Sequence, residues 1–159
     1  MSAASRQPAI RSVLGGVRTS YPRLLRILVP LDFSGKSRQA LRYAIPIAQK
    51  FSARIHLVHV LPPPGKTPKD EQLKQRMAAL KRLGQTAEQL MPPRLHAGNA
   101  VVAGKPGREI LRLAEQNGID LIVLTTKGGS GGLQRAIIGS TAEEIMRHAS
   151  CPVMSVRRH

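Results

Sequence analysis

Short apolar runs alternate with longer amphipathic stretches from about position 25 onward. Five of the runs are predicted strands: Ile27–Val29, Ile55–Val60, Ala100–Ala103, Leu121–Leu124 and Val153–Val156. Helices are predicted in the four stretches between them, because apolar residues recur there every three or four positions. This alternation favours an α/β fold, an open parallel five-stranded sheet with helices on both faces.

The predicted helices have clear sequence signals at several points. The first carries Pro46, which should kink it because proline lacks a backbone N–H. The second spans Asp70–Leu90, and its spacing gathers six apolar residues on one face. These are Leu73, Met77, Leu80, Leu83, Ala87 and Leu90. Pro106 opens the third helix and Gly118 closes it, and the fourth is predicted over Thr141–His148.

The charge of the chain is strongly positive. Lys and Arg number 25 against nine Asp and Glu, a formal net charge of +16. Aromatic residues make up only 3%, so a base-stacking surface for single-stranded nucleic acid lacks its building blocks. The excess charge is consistent with an ordinary solvated surface, and equally with nonspecific contacts to nucleic acid, anionic lipid or an acidic protein. Outside the amino-terminal residues, the side chains that would make such contacts with nucleic acid are Lys66, Lys69, Lys74 and Arg76, just before and on the second helix.

The chain has 159 residues, which fits one domain. Residues 1–24 contain four arginines and no acid, and we predict a disordered basic arm there, followed by one domain over 25–159. The arginines are Arg6, Arg11, Arg18 and Arg23. The arm resembles a transit peptide in composition but lacks the apolar segment of a secretory signal. No apolar run approaches the roughly 20 residues that cross a bilayer, so we expect a cytoplasmic protein without membrane insertion.

Ligands of such sheets bind outside the carboxyl ends of the strands, where the strand order reverses. We therefore expect the site after strands 1 and 4. A glycine-rich segment, residues 125–132, follows strand 4 and leads to Gly139 and Ser140. Glycine N–H groups and a helix amino end suit an anion such as phosphate. The alternative is a plain loop followed by a capping box, in which Ser140 pairs with Glu143 or Thr141 with Glu144.

Two common phosphate motifs are absent. Pro30–Ser37 resembles a P-loop but lacks its first glycine, and Asp32 would lie inside the phosphate cradle and repel the ligand. No G-x-G-x-x-G fingerprint follows strand 1. A dinucleotide-binding site of the usual kind is therefore not predicted.

Other reactive residues do not form a catalytic set. His56 and His59 are three apart on strand 2 and should face opposite sides of the sheet, so no metal site is predicted. Cys151 has no partner cysteine, and we interpret it as a small buried apolar group. The glycine-rich segment offers no base to activate water, and Asp120 lies at the opposite edge of the sheet. Any hydrolysis of a bound phosphate compound should therefore be slow.

Three stretches carry a family resemblance: Ile27–Ser34, Val101–Pro106, and the run from Asp120 through Ile138–Glu143 to Cys151–Val153. Together they resemble the universal stress protein A superfamily. The resemblance implies a sheet of order 3-2-1-4-5 of the adenine nucleotide alpha-hydrolase-like type. It also implies a stress-response or signalling module that binds ATP or another adenine nucleotide, with or without Mg²⁺.

The resemblance further implies which residues bind the nucleotide. Asp32 matches the residue that holds the adenosine, with Pro30 beside it and Val60 against the base. The family's phosphate loop, G-x-x-G-x9-G-[ST], ends at Gly139 and Ser140. Counting back from Gly139 pairs Thr126 with Gly129, whereas counting forward from strand 4 pairs Thr125 with Gly128. Either way a threonine replaces the first glycine, and the segment is one residue longer than the pattern.

The last strand is predicted to lie at the edge of the sheet, and edges invite pairing. In the family two such strands meet across a two-fold axis, so the resemblance implies a homodimer flanked by Arg157, Arg158 and His159. Two alternatives remain open: the same fold without a nucleotide, acting as a dimeric interaction module, and nonspecific nucleic-acid binding through the basic arm.

Overall fold

The computed structural model describes residues 23–126 and 138–157. Within them the chain forms five strands, four α-helices and one 3-10 turn, whose bounds are as follows. In chain order these are β1 (Arg26–Pro30), α1 (Gly35–Phe51), β2 (Arg54–Leu61), α2 (Lys69–Leu90), the 3-10 turn (Pro93–Leu95), β3 (His96–Ala103), α3 (Pro106–Gln116), β4 (Leu121–Thr125), α4 (Ser140–His148) and β5 (Val153–Val156). The predicted arm falls outside the described residues apart from Arg23 and Leu24.

The five strands form one parallel sheet in the order β3-β2-β1-β4-β5, which confirms the predicted topology. Ile27 of β1 pairs with Ile55 of β2 on one side and with Leu121 of β4 on the other. The strand order therefore reverses between β1 and β4. At that reversal the connections leave on opposite faces of the sheet, so a crevice opens at the carboxyl ends of the strands.

Both faces of the sheet are covered by helices. Ile27 and Val29 of β1 pack into a core with α1 and α2 residues such as Leu41 and Leu83. Leu28 points to the other face, where it joins a second core cluster that α3 and α4 complete. Because both faces are apolar, the central strands carry continuous apolar runs in place of the alternation of a half-exposed sheet.

The structure shows what starts α1 and confirms the two signals predicted for the ends of α3. Ser34 caps α1, its Oγ accepting the backbone N–H of Ser37 at 3.1 Å. Pro106 is among the first residues of α3, and Gly118 follows that helix with a φ of 55°. A left-handed residue there lets the chain turn back toward β4. Helix α1 runs from Gly35 to Phe51 and continues through Pro46.

One predicted boundary was wrong. β3 begins at His96, four residues before the predicted start, and its register against β2 shifts between Ile55 and His56. The predicted second helix is present as α2, but its apolar face is covered only in its second half, since Leu73 and Met77 are 60% and 58% exposed. Among the described residues, no helix combines the length and apolar character that a bilayer crossing requires.

Candidate nucleotide site

A cleft of about 320 Å³ opens at the carboxyl ends of β1, β2 and β4. Six of the residues predicted for the site line it: Pro30, Asp32, Val60, Thr125, Gly139 and Ser140. Thr126 follows β4 but is not part of the lining, and Gly128 and Gly129 lie outside the described residues. The structure thus brings together residues from β1, β2, β4 and α4 that are up to 110 positions apart in the chain.

Asp32 is the acidic residue of this cleft, and no other described lining residue carries a carboxylate. It follows the end of β1, where the N–H of Leu31 donates to the carbonyl of Val58 at 2.8 Å. One carboxylate oxygen, Oδ1, accepts the N–H of Ser34 at 3.0 Å. Such a bond to a backbone N–H two residues on is an Asx turn, and it orients the carboxylate.

Phe33 holds the segment after Asp32 in an unusual conformation. Its φ is 62°, a region that bulky residues seldom adopt. The Phe33 ring packs against the His59 ring, with centroids 4.4 Å apart and the ring planes tilted by 35°, and the Arg82 guanidinium lies 4.1 Å from the Phe33 centroid. These contacts connect α2 to the mouth of the cleft.

His59 also lines the cleft, and the sequence analysis did not assign it there. Its Nδ1 lies 2.7 Å from the carbonyl oxygen of Leu31. Since a carbonyl can only accept, Nδ1 must carry the proton, and the neutral ring keeps its lone pair on Nε2. His56 faces the opposite side of the sheet, as predicted, among Leu28, Asn99 and Asn117.

The other end of the cleft is the amino end of α4. Gly139 occupies the cap position, and the described residues supply no side-chain hydrogen bond there. The capping-box alternative was wrong: Glu143 pairs with Arg147 at 2.9 Å, and Glu144 pairs with Lys105 at 3.3 Å. The first N–H groups of a helix need partners from outside it, so this end can accept an anion.

Apolar side chains form the floor of the cleft. Ile110 of α3, Leu124 of β4 and Ile145 of α4 are all buried and contact the same space. The period of α3 and α4 places these isoleucines on the sheet side of their helices. The cleft therefore offers a carboxylate at one end, an apolar floor, and helix N–H groups at the other end.

Outside the cleft, Cys151 is only partly buried, whereas the sequence analysis interpreted it as a buried apolar group. Burial, together with the nearby Asp120 carboxylate, raises the pKa of its thiol. The thiol therefore favours its protonated, less nucleophilic form. Asp120 itself accepts the N–H groups of Leu25 and Arg26 at the amino ends of the strands. In the described ranges no three His, Cys, Asp or Glu residues form a group that could hold a metal ion.

Comparison with known proteins identifies the family. The model of the universal stress protein family matches residues 24–157. A universal stress protein from Methanocaldococcus jannaschii is 33% identical over 143 residues, which are 84% of this chain and 82% of the relative. The chain belongs to the universal stress protein family.

Solved structures agree with this assignment. Universal stress protein UspA from Lactobacillus plantarum has a TM-score of 0.71 and 28% identity, covering 86% of this chain and 99% of that one. A universal stress protein solved in complex with cAMP has a TM-score of 0.65 and 22% identity, covering 86% and 99%. At 22% identity, the similarity to the cAMP complex shows that the two proteins share a fold.

Proposed function

We propose that this universal stress protein binds an adenine nucleotide, with ATP as the predicted ligand, in the cleft after β1 and β4. The observation that carries the proposal is the cleft itself, which has one carboxylate at one end and the amino end of α4 at the other. The cAMP complex of a structural relative supports this ligand class. The volume of about 320 Å³ lies within the range of small-molecule sites.

In this proposal the nucleoside occupies the Asp32 end. The exposed carboxylate accepts hydrogen bonds from ribose hydroxyls, because an ionised carboxylate can only accept. Pro30 and Val60 provide apolar surface against the purine, and both line the cleft. The Asx turn supports this role because it fixes the direction of the carboxylate before the ligand arrives.

The phosphate occupies the other end. The N–H groups at Gly139 and Ser140 bind its oxygens, aided by the partial positive charge of the α4 amino end. The hydroxyl of Thr125, which lines the cleft, is a further donor. Roles for Thr126, Gly128 and Gly129 in holding additional phosphates stay predictions.

Isothermal titration calorimetry with ATP, AMP and cAMP, each with and without Mg²⁺, tests the proposal. Asp32→Asn keeps an oxygen for the Ser34 N–H but removes the charge. It should weaken binding by roughly tenfold to a hundredfold, the loss expected for a hydrogen bond to a charged group. Asp70→Asn, at the exposed start of α2, is the control and should change nothing. Absence of heat with every nucleotide at millimolar concentration would overturn the proposal.

We also propose that the protein forms a homodimer through β5. This strand lies at the edge of the described sheet, and its Met154 is 38% exposed. Unpaired strand edges pair readily with another chain. The cytoplasmic location remains a prediction.

A further inference from the structure

The first half of α2 carries an apolar surface that the described fold does not cover. Leu73 and Met77 are 60% and 58% exposed, and their spacing of four residues places them on the same face of the helix. No residue between Lys69 and Ala78 is buried, and burial begins only at Ala79. An uncovered pair of large side chains on a helix is typical of a docking surface when a groove adjoins it.

Such a groove adjoins this surface. It has a volume of about 260 Å³ and lies at the carboxyl ends of β2 and β3. One wall of the groove is formed by Leu61, Pro62 and Pro64, and another wall is formed by α2 with Leu73. Residues 101–103 of β3 complete the lining of the groove. We call this the α2 groove. It shares no lining residue with the nucleotide cleft.

The charge around the α2 groove is positive. Lys69 and Arg76 line it, and no acidic side chain is among the described lining residues. Two further basic residues of the same helix, Lys74 and Lys81, are also exposed. The acids nearby are Asp70 and Glu71, in the first turn of α2, where carboxylates stabilise the amino end of a helix. A complementary occupant is therefore acidic.

The geometry also indicates the form of the occupant. β3 is the last strand of the described sheet and has no strand partner on its outer side there, so it offers backbone groups to an extended chain. Nucleic acid has no aliphatic side chains to cover Leu73 and Met77. A lipid surface is flat and does not enter a groove walled by prolines. The basic arm of this chain, residues 1–24, repeats the charge of the groove and does not complement it.

From these observations we propose that the α2 groove docks an extended acidic segment of a partner protein, with a large apolar side chain seated beside Leu73. Carboxylates of the segment contact Lys69 and Arg76, and the apolar side chain enters the space between α2 and the prolines. Charge provides attraction at a distance, and burial of the apolar groups provides contact affinity.

The first test measures fluorescence anisotropy of short labelled peptides with the full chain. The probe alternates Asp with Leu; one reference peptide replaces Asp by Lys and another replaces Leu by Ser. The Asp–Leu peptide should bind at least about tenfold more tightly than either reference. Its binding should weaken between about 0.01 M and 0.15 M ionic strength, where screening shortens from about 30 Å to 8 Å. Equal binding of the Ser peptide would overturn the proposal, because charge alone would then explain it.

The second test uses variants at exposed positions, where folding is not at stake. The double variant Leu73→Ser and Met77→Ser should weaken binding of the Asp–Leu peptide by about tenfold. Arg76→Glu should weaken that binding by a similar factor. The matched control replaces Tyr43 and Phe51 on α1, which are 50% and 53% exposed, with Ser and should change nothing.

Two outcomes of this second test would overturn the proposal. One is an equal loss of peptide binding in the α1 control. The other is that the protein does not bind the Asp–Leu peptide but binds duplex DNA or phosphatidylserine vesicles, and that the α2 substitutions abolish this binding.

Discussion

At the scale of single residues, Phe33 determines the geometry of the cleft mouth. Its left-handed backbone, with φ at 62°, costs roughly 1–3 kcal/mol for such a residue. The contacts of the Phe33 ring with His59 and Arg82 offset that cost. Asp32 directly precedes Phe33, so the orientation of the carboxylate depends on a strained neighbour.

A pair of substitutions separates the strain from the stacking. Phe33→Ala and Phe33→Gly both remove the ring, but only Ala keeps a Cβ in the left-handed region. The Gly variant should have the higher free energy of unfolding, by about 1 kcal/mol, measured by urea denaturation. Ala78→Gly in the exposed part of α2 is the control and should destabilise by about the same amount. A Phe33→Ala variant as stable as Phe33→Gly would show that the backbone there is not strained.

His56 makes stability depend on pH. Burial lowers its pKa below the ordinary value of 6.5, and Arg26, Arg54 and His96 lower it further. The unfolded chain therefore takes up this proton at a higher pH than the folded protein does. The contribution of His56 is fully present above pH 6.5, and it declines as the pH falls toward the lowered folded-state pKa.

The corresponding variant is His56→Gln. Its free energy of unfolding is measured by urea denaturation at a series of pH values below 6.5. As the pH falls, this free energy should decline less steeply than that of the parent protein. His148→Gln, at an exposed helix end, serves as the control for losing a histidine. Parallel pH profiles for the parent protein and His56→Gln would contradict the assignment.

At the scale of elements, the sequence predicts what depends on local patterns and misses what depends on packing. All five strands were predicted from the sequence, because continuous apolar runs are local signals. The order of the strands was predicted only from the family resemblance, since no local signal carries it. The start of β3 was missed because Ala97, Gly98 and Asn99 have low strand propensity, and pairing with β2 keeps them extended. The exposure of Leu73 was missed because helical spacing identifies a face without saying what covers it.

The site shows the same division. Six lining residues were predicted from the resemblance, yet His59 was considered only as a metal ligand. Its position at the carboxyl end of β2, next to Val60, was a signal that could have placed it in the cleft. Its hydrogen bond to Leu31 depends on the register of β1 and β2, which the sequence alone does not contain.

Pro46 provides the test for α1. A proline inside a helix removes one backbone hydrogen bond, here to the carbonyl of Arg42 four residues before. Pro46→Ala should therefore raise the free energy of unfolding by about 1–3 kcal/mol, measured by urea denaturation. Pro106→Ala is the control: in the first turn of a helix the missing N–H has no helical partner, so little change is expected. A destabilised Pro46→Ala variant would show that surrounding contacts require the proline.

At the scale of the whole molecule, the net charge of +16 acts on every association. Like charges repel across any interface between two copies of the chain, and salt weakens that repulsion. Arg157 follows β5 directly, and the sequence continues with Arg158 and His159, which lie outside the described residues. A dimer formed through β5 would therefore bring basic residues of both copies together.

Sedimentation velocity tests this dimer and its charge dependence. We expect a dimer whose dissociation constant falls several-fold between about 0.01 M and 0.15 M ionic strength, as screening shortens from about 30 Å to 8 Å. Met154→Lys adds a charge to the edge strand and should shift the protein toward monomer, because like charges facing each other across paired strands are destabilising. Met146→Lys on α4, where the methionine is 37% exposed against 38% for Met154, is the matched control and should leave the dimer intact. If Met154→Lys and Met146→Lys behave alike, then β5 is not the dimer interface. If salt dissociates the dimer, then attraction between unlike charges holds the two copies together.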